Sequence, residues 1–93
     1  MPQNAVALAL SAGVASAAQA LNATGGAWYT FVNNTDTEIT IAFGVSSIGA
    51  PDATAYGIAA NGGKEEWWCD GVTETHFRAF CAAARTLKYY RSS

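Results

Sequence analysis

With 93 residues, twelve charged side chains and eleven aromatic ones, the chain is too apolar for a disordered segment and too short for more than one domain. The net charge of −2 hides an asymmetry, because residues 1–74 hold all seven acids and only Lys64, while residues 75–93 hold Arg78, Arg85, Lys88 and Arg91 and no acid. The acidic body would repel a polyanion, so nucleic acid is excluded as an expected partner.

Nothing before Asp36 is charged, and Ala5 to Leu21 is apolar and rich in Ala, the best helix former. On a helical wheel Val6, Leu10, Val14, Ala17 and Leu21 share one face, with Asn4, Ser11, Ser16, Gln19 and Asn22 roughly opposite. Leu8 alone falls on the polar side. Gly25-Gly26 then stops the run. Residues 1–24 are therefore expected to be an Ala-rich N-terminal helix or a signal-like segment. Three readings stay open: a secretory signal, a helix packed on a sheet, and an amphipathic helix entering a membrane. Ala15-Ser16-Ala17 and Ala18-Gln19-Ala20 have the small-x-small form of a cleavage site, although no Lys or Arg follows Met1. A transmembrane span is not expected, since ~20 strongly apolar residues are needed.

Trp28 to Val45 is the most legible stretch. Aromatic and β-branched residues meet Asn33-Asn34-Thr35-Asp36, after which Ile39, Ile41, Phe43 and Val45 alternate with Glu38, Thr40, Ala42 and Gly44. Period-2 alternation on both sides of a polar cluster predicts two antiparallel strands with a tight connection. Asn22-Ala23-Thr24 and Asn33-Asn34-Thr35 also match the N-glycosylation pattern, which makes Asn22 and Asn33 candidate acceptors. The alternative for Asn33 is turn chemistry.

Ser46 to Thr54 reads as a loop, Tyr56 to Ala60 as a short strand, and Asn61-Gly62-Gly63 as a turn. Lys64 to Cys69 resumes as a strand. From Thr75 two patterns compete. As a strand, Phe77, Ala79 and Cys81 share one face, against His76, Arg78 and Phe80. As a helix, Phe77, Phe80, Cys81, Ala84 and Leu87 or Lys88 form a stripe; the strand is preferred because its neighbours are strands at short, regular spacing. Cys69 and Cys81 are expected to form a disulfide worth ~3 kcal/mol; the alternative is two small buried hydrophobes. Such a bridge excludes a tight hairpin at Gly71-Val72 and requires a wide loop near Thr75 or a link between non-adjacent strands.

No residue pattern supports catalysis. His76 is the sole histidine, and no Ser or Cys sits in a nucleophile motif beside it. Two Cys and one His match no closed zinc site, so no metal and no cofactor are expected. Glu65 and Glu66 are neighbours on a strand and point to opposite sides, unlike a facing glycosidase pair. The aromatic residues say more. Trp28-Tyr29, Trp67-Trp68 and Tyr89-Tyr90 are doublets, and in extended chain one ring of each points inward and the other outward. Trp67, Trp68, Tyr89 and Tyr90, flanked by Lys88 and Arg91, are the candidate binding residues for a lipid headgroup or sugar surface. The alternative is that a second sheet or the helix covers that face.

The order of parts resembles a reduced actinoporin plan. An uncharged N-terminal segment, a Gly hinge and a strand–Asn-Asn-Thr–strand unit precede Tyr56-Gly57-Ile58-Ala59-Ala60-Asn61-Gly62-Gly63-Lys64-Glu65-Glu66-Trp67-Trp68 and a late aromatic strand. Residues 29–68 are also similar in style to small single-domain bacterial insecticidal proteins. The expected fold is mainly β, a small antiparallel β-sandwich of about five to seven strands over residues 27–93, with the Ala-rich N-terminal helix. The aromatic doublets, the apolar N-terminus and the absence of a catalytic constellation lead to the expectation of a secreted, non-enzymatic, toxin- or effector-like protein that binds a membrane or host surface through exposed aromatics. Alternatives are a carbohydrate- or protein-binding module, and a self-assembling homo-oligomer packed through its N-terminal helix.

Overall fold

Alternating sequence becomes alternating burial. In a computed structural model, which describes residues 5–92, Ile39 and Ile41 face the interior on a strand, as do Phe77, Ala79 and Cys81 on another. Eight strands are present among the described residues: β1 (Val6–Leu10), β2 (Gln19–Ala20), β3 (Ala27–Asn33), β4 (Ile39–Gly44), β5 (Tyr56–Ile58), β6 (Gly63–Cys69), β7 (His76–Cys81) and β8 (Arg85–Arg91). They form two four-stranded antiparallel sheets, ordered β1-β8-β3-β6 and β2-β7-β4-β5. The expected mainly β fold is thus present: the described part of residues 27–93 holds six strands, β3 to β8, within the five to seven anticipated there, and β1 and β2 lie in the segment expected to be a helix. The ambiguous His76–Cys81 segment is a strand, not a helix.

Between the sheets lies an aromatic core. Phe31 on β3 meets Phe77 of the other sheet edge-to-face at 5.1 Å and stacks with Tyr89 of β8 at 5.6 Å. Leu87, Ile39, Ile58 and both cysteines are also fully buried. Rings at these separations add about 0.5–1.5 kcal/mol per pair beyond the area they bury.

The N-terminal helix is not found; no helix occurs among the described residues, and residues 1–4 of the expected segment lie outside them. Val6–Leu10 instead pairs with β8, from Val6 opposite Tyr89 to Leu10 opposite Arg85. The anomaly of Leu8 on a helical wheel has a simple cause. In extended chain Val6, Leu8 and Leu10 share one face, and Leu10 is buried in the core. Tertiary pairing overrides the helix preference of Ala. Past β1 the chain crosses to the second sheet, where the Gly13 and Ser16 amides donate to the Cys81 and Ala79 carbonyls at 2.9 and 2.8 Å.

Two further expectations need correction. The Trp28–Val45 strands are not a hairpin, because β3 lies in one sheet and β4 in the other. Asn33 makes the connection: it is fully buried, and its Nδ2 donates to the Thr37 and Ile58 carbonyls at 2.9 and 3.0 Å. Its Oδ1 accepts from the Thr35 amide and hydroxyl at 3.0 and 2.6 Å. With its amide so engaged, Asn33 builds the turn in the folded chain; Asn22 is exposed at the surface. Nor are the cysteines bonded. Cys69 and Cys81 are free, buried thiols on β6 and β7, which belong to different sheets. Cys69 pairs in register with Ala27 and Cys81 with Ile39. Burial, reinforced by Glu74 and Asp70, pushes the Cys69 thiol up to about 11.

Candidate functional site

β6 ends the first sheet, with β3 as its single neighbour in that sheet. Its alternation sends Glu65, Trp67 and Cys69 toward the second sheet and Lys64, Glu66 and Trp68 outward. The antiparallel register sets Trp28 of β3 directly opposite Trp68. The two indoles meet edge-to-face, with centroids 5.6 Å apart and planes at 61°. They remain 42 % and 46 % exposed. Gly26, at φ +92°, fixes the ring position from below: a Cβ there would come within 2.4 Å of Trp68 Cζ2.

The outer face continues in rows. Thr30 stands between Tyr90 and Glu66, and the next row holds Lys88, Val32 and Lys64. Lys64, Glu66 and Lys88 are exposed, and Tyr90 is half-buried.

On the inner rim of β6, Trp67 stacks on Phe43 at 4.6 Å and meets Tyr56 edge-to-face at 4.7 Å. The Tyr56 hydroxyl donates to Glu65 Oε1 at 2.5 Å, and that carboxylate raises the hydroxyl's pKa. Trp28, Tyr56, Glu65, Glu66, Trp67 and Trp68 together line an open groove of about 350 Å³ that wraps around the sheet edge.

The six sequence candidates divide by strand parity. Trp68, Tyr90 and Lys88 lie on the outer face, and Trp67 reaches the groove from its inner rim. Tyr89 is buried in the core against Phe31 and Phe77. Arg91 closes β8 with the parity of Tyr89, and one of its guanidinium nitrogens donates to the Asn22 carbonyl at 3.4 Å. Sequence reasoning missed Trp28, Tyr56, Glu65 and Glu66 as members of the site. The doublet pattern marks Trp28 as one of an in–out pair, but its pairing with a strand some forty residues later leaves no local signal. Tyr56 carries no signal at all.

The groove offers ring faces and carboxylate acceptors. Glu65 and Glu66 occupy opposite sides of the strand, and no group of three or more metal-ligating side chains exists among the described residues. His76 lies on β7 with its Nδ1 2.8 Å from the Thr75 hydroxyl. No protein-family model matches the chain, and neither the curated proteins nor the solved structures contain a detectable match to it.

Proposed function

We propose that this chain is a non-catalytic recognition protein that attaches to a glycan displayed on a membrane or host surface, using the rings at the free edge of β6. The Trp28–Trp68 pair carries this reading: two large rings held outward, beside two carboxylates and a tyrosine hydroxyl. Sugar rings present a C–H face that packs on an indole, and their hydroxyls donate to carboxylates, so the groove has both halves of a sugar contact. Trp is enriched among the few residues that carry most of the binding energy at protein interfaces. A glycan array followed by titration of its hits tests the reading. Trp68→Ala is expected to weaken binding at least tenfold, or about 1.4 kcal/mol. An array without hits, or a variant that binds as tightly as the parent, would overturn it.

A second reading, docking on lipid headgroups, is favoured by Lys64 and Lys88 on the same outer face as Trp28, Trp68 and Tyr90. Co-sedimentation with glycan-free anionic vesicles, lost in a Lys64→Gln/Lys88→Gln variant, would support it. No co-sedimentation removes it.

A further inference from the structure

We propose, resting on the glycan reading above, that the groove selects an oligosaccharide of free amino sugars, bearing protonated amines, over neutral or acidic glycans. Its lining holds four aromatic rings and two carboxylates and no Lys, Arg or His. Both kinds of lining favour positive charge. An aromatic face attracts an ammonium group through its quadrupole, and a carboxylate makes a charge-assisted hydrogen bond with it.

The two carboxylates are differently prepared. Glu65 is held in place by the Tyr56 hydroxyl. Glu66 projects outward, two residues before Trp68 on the same face, and has no hydrogen-bond or ion-pair partner among the described residues. It is therefore free to receive a donor from a ligand resting on the indoles. The closest cation in register, Lys64, lies one row further along the outer face and does not line the groove. A sulfated or uronic glycan would meet two like charges and no counter-charge, which disfavours it.

Shape narrows the ligand further. A lone methylated ammonium is best enclosed by rings on several sides, whereas these rings line an open groove that passes from the outer face over the strand edge to Tyr56. Successive units of a chain can follow that path, one against Trp28, Trp68 and Glu66 and the next against Trp67, Tyr56 and Glu65. The pairing of two carboxylates with repeated amines gives the groove its preference.

The test uses two chito-oligosaccharides of equal length and linkage, one fully deacetylated and one fully N-acetylated, in mildly acidic buffer of low salt. Binding is followed by tryptophan fluorescence and calorimetry. The deacetylated oligomer should bind at least tenfold more tightly. That preference should collapse in a Glu65→Gln/Glu66→Gln variant and in Glu66→Gln alone should fall several-fold. Glu66→Gln alters an exposed side chain without an internal bond, so the fold is retained. Equal or tighter binding of the acetylated oligomer overturns the charge preference while leaving the glycan reading standing. If neither oligomer binds and a glycan array is also blank, the glycan reading falls and this inference with it.

Discussion

Gly26 sits at φ +92° with the Trp68 indole lying against it, so one missing methyl group determines where the exposed ring can rest. Gly26→Ala should cost about 1–3 kcal/mol from backbone strain. It should also push Trp68 off its position, changing tryptophan emission and weakening ligand binding in parallel. Chemical denaturation and fluorescence of the variant check both effects; unchanged stability with unchanged emission would contradict the geometry. Asp70 illustrates a different residue-scale device. Its carboxylate accepts from the Thr73 hydroxyl and from the amides of Val72, Thr73 and Glu74, which hold its pKa well below the usual carboxylate range. An unfolded Asp titrates near 3.9 and the folded one lower, so the contribution is full above about pH 5 and fades as pH falls toward the folded value. Urea midpoints measured down the acid limb should fall less steeply in Asp70→Asn than in the parent. Identical slopes would remove Asp70 from the acid response. The residue types of both sites are visible in the sequence. Their roles are not, because Gly26 meets Trp68 only after β3 and β6 have paired.

At the scale of elements, alternation reports which face of a strand is buried but not which sheet the strand joins. For that reason the inward sets Ile39–Ile41 and Phe77–Ala79–Cys81 are legible beforehand, while the β3–β4 connection looks like a hairpin and is instead a passage between sheets. Asn61-Gly62 behaves alike. Asn61 at φ +61° and Gly62 at φ +97° make the turn its sequence announces, yet β5 and β6 lie in different sheets. The disulfide expectation fails differently: the link between non-adjacent strands that it allowed is not made, and Cys69 and Cys81 stay free in different sheets, in register with Ala27 and Ile39. The Ala-rich start misleads through composition: helix preference is a weak prior, and the Val-Ala-Leu-Ala-Leu alternation at residues 6–10 outweighs it once β8 is available. If β1 is an integral strand, Leu10→Ala should cost about 2–4 kcal/mol for a buried leucine. Equilibrium unfolding in urea would show a lower midpoint with an unchanged slope. A loss under half a kcal/mol would mean that this segment lies outside the core.

Across the described residues, only β4 and β5 pair with their sequence neighbour in one sheet, and every other connection between consecutive strands crosses between the two layers. The exposed rings thus depend on long-range pairing: Trp28, Trp68 and Tyr90 reach one face because β8, β3 and β6 are adjacent in space. Three aromatic doublets supply the interior, through Tyr29 and Tyr89, the inner rim of the groove, through Trp67, and the outer face, through their partners. The same parity places Glu66 beside the indoles, so fold and groove follow from one alternation. The most direct measurement is a two-dimensional NMR titration that follows the three indole N–H signals as a binding oligosaccharide is added. The Trp28 and Trp68 signals should move together and saturate at the same ligand concentration, while the amides of β7 stay in place. Indole signals that do not move, or shifts centred on β7, would contradict binding at this groove.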